Sequence, residues 1–373
     1  MTETSPGLDE LVRLRQRWSR FVGRAHAPSP AERAAAEEAR RRLTEITEFG
    51  SNPGQLRLLC YLPPDLPPGA PLVLALHGCT QNAASFDLGC GWSFMADRLG
   101  FALLLPEQRR ENNPNLCFNW FNPEDARRNS GEAASIRQMI EWMQTTHGTD
   151  PTRVFIGGLS AGGAMSSVML ACYPECFSGG AIIAGLPYGA AQGVPGAFDA
   201  MHRPAKLPAR QRGDAVRTAS DHGGPWPRIS VWQGGADVTV KPGNAAEILK
   251  QWLDLHGLAI EHPAVEQATD LGRYRLWRDA GGNGIVECHE IAALDHGVPL
   301  HAGEDEGQAG RAGPFLLEAG ISSTHEILRF WGLGTDRADE RRRFVVDAGG
   351  DAREVTPRRF GLLDRALRAA GLR

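Results

Sequence analysis

No stretch of this 373-residue chain stays apolar long enough to cross a bilayer. The longest runs, such as Leu72 to Leu76 and Phe101 to Leu105, fall far short of the roughly 20 residues a spanning helix needs. The opening residues, Met1 to Arg24, lack an apolar core of signal-peptide length, because Glu3, Asp9, Glu10 and several arginines interrupt it; a cytoplasmic protein is the expectation. Neither sign of charge dominates. A formal net charge of −4 offers no general field for nucleic acid or anionic lipid, so neither is an expected partner. Cysteine is sparse: seven scattered residues do not make a disulfide framework, and the odd count leaves at least one thiol unpaired. A bond between Cys79 and Cys117 is conceivable, but sequence alone leaves the pairing open. Cys172 and Cys176 have no second pair or histidine cluster at zinc-ligand spacing, so they read as helix-end packing and no metal is expected. Nothing repeats internally. What is left, 42% hydrophobic and 23% charged residues, is the composition of an ordinary globular protein large enough for one α/β domain with extensions or two smaller domains.

The most informative stretch is Arg153-Val154-Phe155-Ile156-Gly157-Gly158-Leu159-Ser160-Ala161-Gly162-Gly163-Ala164-Met165. A β-type apolar run breaks into glycines around one serine and resumes as a helix former, which is the pattern of a nucleophile elbow. A serine hydroxyl attacks an acyl carbon only if it projects free of its neighbours. The sharp strand-to-helix turn that achieves this crowds the positions two residues to either side, hence Gly158 and Gly162. Ala161 then opens the helix, with its N–H facing the place where an oxyanion would form. A G-x-S-x-G string in a glycine-rich chain also arises by chance, so the reading depends on its partners.

Along the chain, apolar spacing predicts helices over 8–24, from Ser29-Pro30 to about Ile46, from Ser85 to Leu99, from Glu132 to Thr146 and from Asn244 to His256. Strands are expected at Gln55 to Leu62, Leu72 to Leu76, Phe101 to Leu105, before Ser160, at Ala181 to Ala184, Arg228 to Trp232, Tyr274 to Trp277 and Gly284 to Ile291. Pro187 to Trp226 shows little periodicity and reads as a long excursion over the mouth of a site. The tail from Asp336 is highly charged and ends in a short amphipathic helix near Arg359 to Leu372. Alternating strands and helices indicate a mainly parallel central sheet with helices on both faces.

A serine at neutral pH needs a base, and the base needs an orienting acid; in α/β-hydrolases the order is serine, acid, histidine, each on a loop after a strand. Asp237 fits the acid, following its strand through Gln233-Gly234-Gly235-Ala236, although a simple turn or helix-cap aspartate would look alike. His296 fits the base. Its competitors are His289, placed inside an alternating strand, and His301, with no strand behind it. Asp295 beside the base reads as structural. A second oxyanion donor is expected from the loop after an earlier strand, and Leu76-His77-Gly78-Cys79 supplies it through the Cys79 N–H, with His77 a structural loop residue. Trp120, in Cys117-Phe118-Asn119-Trp120-Phe121, either lines an apolar substrate groove or covers the core.

With these residues in place the sequence resembles the polyhydroxybutyrate (PHB) depolymerase family of esterases, within the α/β-hydrolase superfamily. The resemblance is carried by Phe49-Gly50-Ser51-Asn52-Pro53-Gly54, Leu76-His77-Gly78-Cys79-Thr80-Gln81, Gly158-Leu159-Ser160-Ala161-Gly162-Gly163, Ala181-Ile182-Ile183-Ala184-Gly185-Leu186-Pro187-Tyr188-Gly189, Trp232-Gln233-Gly234-Gly235-Ala236-Asp237, His296-Gly297-Val298-Pro299-Leu300 and Gly320-Ile321-Ser322-Ser323-Thr324 with Phe330-Trp331-Gly332-Leu333. It implies a triad of Ser160, Asp237 and His296, oxyanion donors Cys79 and Ala161, no cofactor, and short-chain hydroxyalkanoate esters as substrates. Feruloyl or acetylxylan-type esterase activity is the alternative within the superfamily, and a non-catalytic polymer-binding protein the alternative outside it. The expected organisation is a helical extension over 1–44, an α/β-hydrolase catalytic domain over 45–335 and a charged tail over 336–373.

Overall fold

The computed structural model describes residues 30–334 and two further strands, Arg343–Val346 and Ala352–Val355. The helices expected at 8–24 and 359–372 lie outside the described residues. The chain divides into two compact units, Met1–Trp331 and Gly332–Arg373. In the second, the two further strands pair antiparallel within the segment read from sequence only as charged tail.

The first unit is built on β1 (Thr44–Ile46), β2 (Arg57–Tyr61), β3 (Leu72–Leu76), β4 (Ala102–Glu107), β5 (Val154–Leu159), β6 (Gly179–Ile183), β7 (Arg228–Gly234), β8 (Val265–Thr269), β9 (Gly272–Arg278) and β10 (Gly284–Ile291). They form one sheet in the order β1-β2-β4-β3-β5-β6-β7-β10-β9-β8. The centre, from β4 to β10 in that order, is parallel, and the strands at both edges are antiparallel. Every residue of β3, β4, β5 and β6 is buried. Burial without alternation requires cover on both faces, which is why these strands read as continuous Val/Ile/Leu/Ala/Gly runs. No helix of the described residues is long and apolar enough to cross a membrane.

Three local expectations change. The helix opening at Pro30 ends at Arg42 instead of Ile46, because Thr44–Ile46 is claimed as a strand by pairing with Leu58–Cys60 of β2. The single helix expected at Ser85 to Leu99 is two, Ala83–Cys90 and Trp92–Leu99, broken at Gly91 with φ 73°. A side chain there would run into the backbone of Gly310, so a tertiary neighbour sets the break. The excursion over 187–226 contains two helices, Gly193–His202 and Ala209–Arg217. Its Gly/Pro-rich composition hides them, and burial of Ala197, Phe198, Ala200 and Val216 makes them.

The helix Ala161–Cys172 leaves β5 with no intervening loop and packs back on β3, β5 and β6. A Cβ on Gly162 would overlap the carbonyls of Leu76 and His77, and one on Gly158 would meet the backbone of Gly162 and Leu76. Gly162→Ala should therefore lower the unfolding free energy by about 3 kcal/mol, the upper end for overpacking, because backbone rather than a side chain has to move. A denaturant midpoint equal to that of the unsubstituted chain would show that the contact is not tight.

Candidate active site

Ser160 sits at the end of β5 with φ 56° and ψ −115°, a conformation costly for any residue bearing a side chain. Its N–H donates to the Ile183 carbonyl at the end of β6 (2.9 Å), and its carbonyl accepts the Ala164 N–H (2.8 Å), so the elbow is pinned on both sides. Asp237 leaves β7 by a turn in which its N–H donates to the Gly234 carbonyl. Asp237 Oδ1 accepts the N–H groups of Thr239 (2.8 Å) and Val240 (2.9 Å). Oδ2 accepts Gln233 Nε2 (3.1 Å) and His296 Nδ1 (2.8 Å). His296 follows β10 by a turn whose strands are cross-linked to the acid loop: the Gly235 N–H donates to the Ile291 carbonyl and the Ala236 N–H to that of Leu294. The Asp295 side chain, expected to be structural, accepts the His296 N–H (2.8 Å). Since β5, β7 and β10 run parallel, all three residues emerge at the carboxyl edge of the sheet, where open α/β folds bind ligands. They are 4%, 2% and 6% exposed, dry enough to strengthen every hydrogen bond among them.

The rival histidines do not reach this acid. His289 lies in β10 with its ring stacked on Trp232 at 3.7 Å, and His301 bonds Gln308. His77 is fully buried; its Nδ1–H donates to the Gly78 carbonyl and its Nε2 accepts the Gln108 N–H. Burial holds its imidazole below the ordinary value, so it is a neutral hydrogen-bonding group.

The turn after β3 distributes its N–H groups. Gly78 donates to Gln81 Oε1 (2.9 Å) and Thr80 to the Asn115 carbonyl (2.7 Å), whereas the Cys79 N–H has no hydrogen-bond acceptor among the described residues. Ala161 opens its helix, so its N–H belongs to the first turn, which lacks intrahelical acceptors. Cys79 is disulfide-bonded to Cys117, and the other five cysteines are free. Thr80, Leu116, Ser160 and Phe315 all have positive φ, and Phe315 stands edge-on to His296 at 6.1 Å.

Cys79, Cys117, Trp120, Ser160 and Ala161 share one narrow cavity of about 30 Å³. Its remaining wall is Phe121, Leu186, Val194, Ala197, Phe198, Met201 and Val240, supplied largely by the helix Gly193–His202. The sequence signalled an excursion here but not its apolar face. Gln81 and Gln233 also escaped notice, although both stand inside the quoted motifs. No group of three or more His, Cys, Asp or Glu side chains suited to a metal occurs among the described residues.

Comparison with known proteins gives this arrangement its setting. A model of the family described as esterase PHB depolymerase matches residues 56–271. Poly(3-hydroxyalkanoate) depolymerase C from Paucimonas lemoignei is 40% identical over 292 residues, which is 78% of this chain and 70% of that protein. The chain belongs to the PHB depolymerase esterase family. Feruloyl esterase B from Thermothelomyces thermophilus is 32% identical over 225 residues, 58% of this chain and 76% of that protein. Among solved structures, an acetyl xylan esterase from Aspergillus awamori superposes with a TM-score of 0.67 at 21% identity, over 78% of this chain and 99% of that one, a likeness of fold. This PHB depolymerase family member is accordingly a carboxylic ester hydrolase with the α/β-hydrolase fold.

Two substitutions probe the site of this family member. Asp237→Asn removes the acceptor that orients the His296 ring, and kcat on a soluble ester should fall by about 10⁴ with little change in melting temperature. Cys117→Ala opens a loop closed across a separation of 38 residues. In the chain-entropy picture that costs about 4 kcal/mol of stability, read as a lowered denaturant midpoint.

Proposed function

We propose that the chain is a serine esterase acting on short-chain hydroxyalkanoate esters, with oligomers or polymer of 3-hydroxybutyrate foremost, through an acyl-enzyme on Ser160. The observation that carries this reading is the 2.8 Å hydrogen bond from His296 Nδ1 to Asp237, on the sheet edge where the Ser160 elbow lies, in a chain 40% identical to a poly(3-hydroxyalkanoate) depolymerase. In the first step Ser160 Oγ bonds to the ester carbonyl carbon as its proton passes to His296 Nε2. The carbonyl electron pair moves to oxygen, where the Cys79 and Ala161 N–H groups hold it. Collapse expels the alcohol, which takes the proton from His296; water then repeats the sequence and releases the acid. The steps use only protein groups and water. Trp120 is proposed as a substrate-binding wall, supported by its place in the cavity beside Ser160.

The proposed catalytic domain is 45–335, with 1–44 and 336–373 as extensions. Acetyl-ester cleavage is the second reading, favoured by the likeness to acetyl xylan esterase. The Cys79–Cys117 bond bears on compartment, since such bonds persist where thiols are oxidised; this weighs against the cytoplasmic expectation.

Release of 3-hydroxybutyrate from its soluble trimer should be fast for the unsubstituted enzyme and abolished in Ser160→Ala. Normal turnover of an aryl acetate with no release from the trimer would move the substrate to acetyl esters. Undiminished turnover by Ser160→Ala would remove Ser160 as nucleophile.

A further inference from the structure

Glu132 is a buried carboxyl, 1% exposed, that the reaction as described does not use. It opens the helix Gly131–His147, and its hydrogen-bond donors are all amides. Oε1 accepts Gln108 Nε2 (2.5 Å) and Asn119 Nδ2 (2.9 Å), and Oε2 accepts the Asn119 N–H (2.8 Å). Gln108 Nε2 also donates to the Cys117 carbonyl (3.0 Å), while the Gln108 N–H donates to His77 Nε2 (3.1 Å). His77 in turn donates from Nδ1 to the Gly78 carbonyl (2.8 Å).

That last carbonyl belongs to the same planar peptide unit as the Cys79 N–H. In a trans peptide the C=O and N–H point in opposite directions, so fixing one aims the other. One end of the relay therefore sets the direction of the Cys79 N–H. The other end fixes Cys117, the disulfide partner of Cys79, and Asn119 beside Trp120.

We propose that Glu132 is a positioning residue: through Gln108, His77 and Asn119, its carboxylate holds the Cys79 N–H and the Trp120 wall in the geometry that receives the oxyanion. The inference rests on the esterase reading above and adds a residue to it. Three N–H donors converge on the carboxylate, two on Oε1 and one on Oε2, so protonation removes the charge that strengthens all three hydrogen bonds and slackens the relay. The groups facing it are Asp125 from the preceding turn, which accepts the Glu132 N–H (3.1 Å), His77 beyond Gln108, and the uncharged amides of Gln108 and Asn119. Burial foremost, and then the Asp125 charge, push the Glu132 carboxyl up to about 8. The relay thus tightens as pH rises through that value. Stability runs the opposite way: between the ordinary glutamate range and about 8 the native state holds a proton that the unfolded chain has lost, so stability falls as pH rises across that window. Asp87, the buried carboxyl pushed up to about 6, bonds Ser93 and titrates lower.

The test is kcat and KM for a soluble aryl butyrate from pH 5 to 10, with melting temperature over the same range, for the unsubstituted enzyme, Glu132→Gln and Gln108→Met. In the unsubstituted enzyme kcat should gain with an ionisation near 8, while melting temperature declines relative to Glu132→Gln. Glu132→Gln should lose that ionisation and, at pH 9, about 10- to 100-fold in kcat, part of the effect of deleting a whole oxyanion donor, with a smaller rise in KM from the loosened Trp120 wall. Gln108→Met leaves the carboxyl in place but cuts its link to Cys117, and should also remove the ionisation from kcat; it serves as the test if Glu132→Gln does not fold. An unsubstituted enzyme that turns over ester with no ionisation near 8 would overturn the proposal. So would a Glu132→Gln enzyme that melts lower yet keeps kcat and its pH profile. Absence of any ester turnover by the unsubstituted enzyme would instead strike at the esterase reading.

Discussion

The contact on which the site depends is between backbones: Gly158 and Gly162 lie against the carbonyls and peptide groups at the end of β3. No side chain fits there, so the helix Ala161–Cys172 can begin in contact with Leu76 and His77. That closeness brings the Ala161 N–H, the first of a helix, beside the turn that carries the Cys79 N–H. The proposed oxyanion hole draws its two donors from segments far apart in sequence, and two glycines remove the bulk that would separate them. The strained φ of Ser160 is the local cost, offset by the hydrogen bonds to Ile183 and Ala164 and by complete burial of the helix that follows.

Around that contact the molecule is rigid in different ways on its two sides. The acid and base loops are stitched by backbone hydrogen bonds between Gly235 and Ile291 and between Ala236 and Leu294, and four donors converge on the Asp237 carboxyl. The side proposed to hold the oxyanion instead depends on a covalent bond, Cys79 to Cys117, and on side chains buried beneath it. Between the two lies an apolar cleft roofed by the helix Gly193–His202, tied by the Gly193 N–H to the Phe121 carbonyl and by Asn244 to the carbonyls of Ala200 and Met201. Chemistry is thus assigned to the sheet edge, and the width available to a substrate to an insertion between β6 and β7.

The parts of the site legible from sequence were those encoded locally. A strand, a G-x-S-x-G turn and a helix former occur within thirteen residues, glycines after strands marked Asp237 and Cys79, and a loop position after a strand marked His296. Where a long-range partner decides, reading failed. Thr44–Ile46 is a strand because β2 lies beside it, and the chain breaks at Gly91 because Gly310 occupies the space a side chain would need. The helix at Gly193 to His202 has too mixed a composition to announce itself, and becomes helical by burying Ala197 and Phe198.

Sequence alone therefore carried the α/β-hydrolase class, because strand and helix periods and turn glycines are properties of neighbours in the chain, and the family, through its motifs. Tertiary structure alone decided that Cys79 pairs with Cys117, how narrow the cleft is, and that Glu132, an ordinary helix-opening acid in sequence, ends buried among amides beneath the Cys79 turn. Direction and burial of a side chain are set by what packs against it from residues distant in the chain, and no local pattern encodes those contacts.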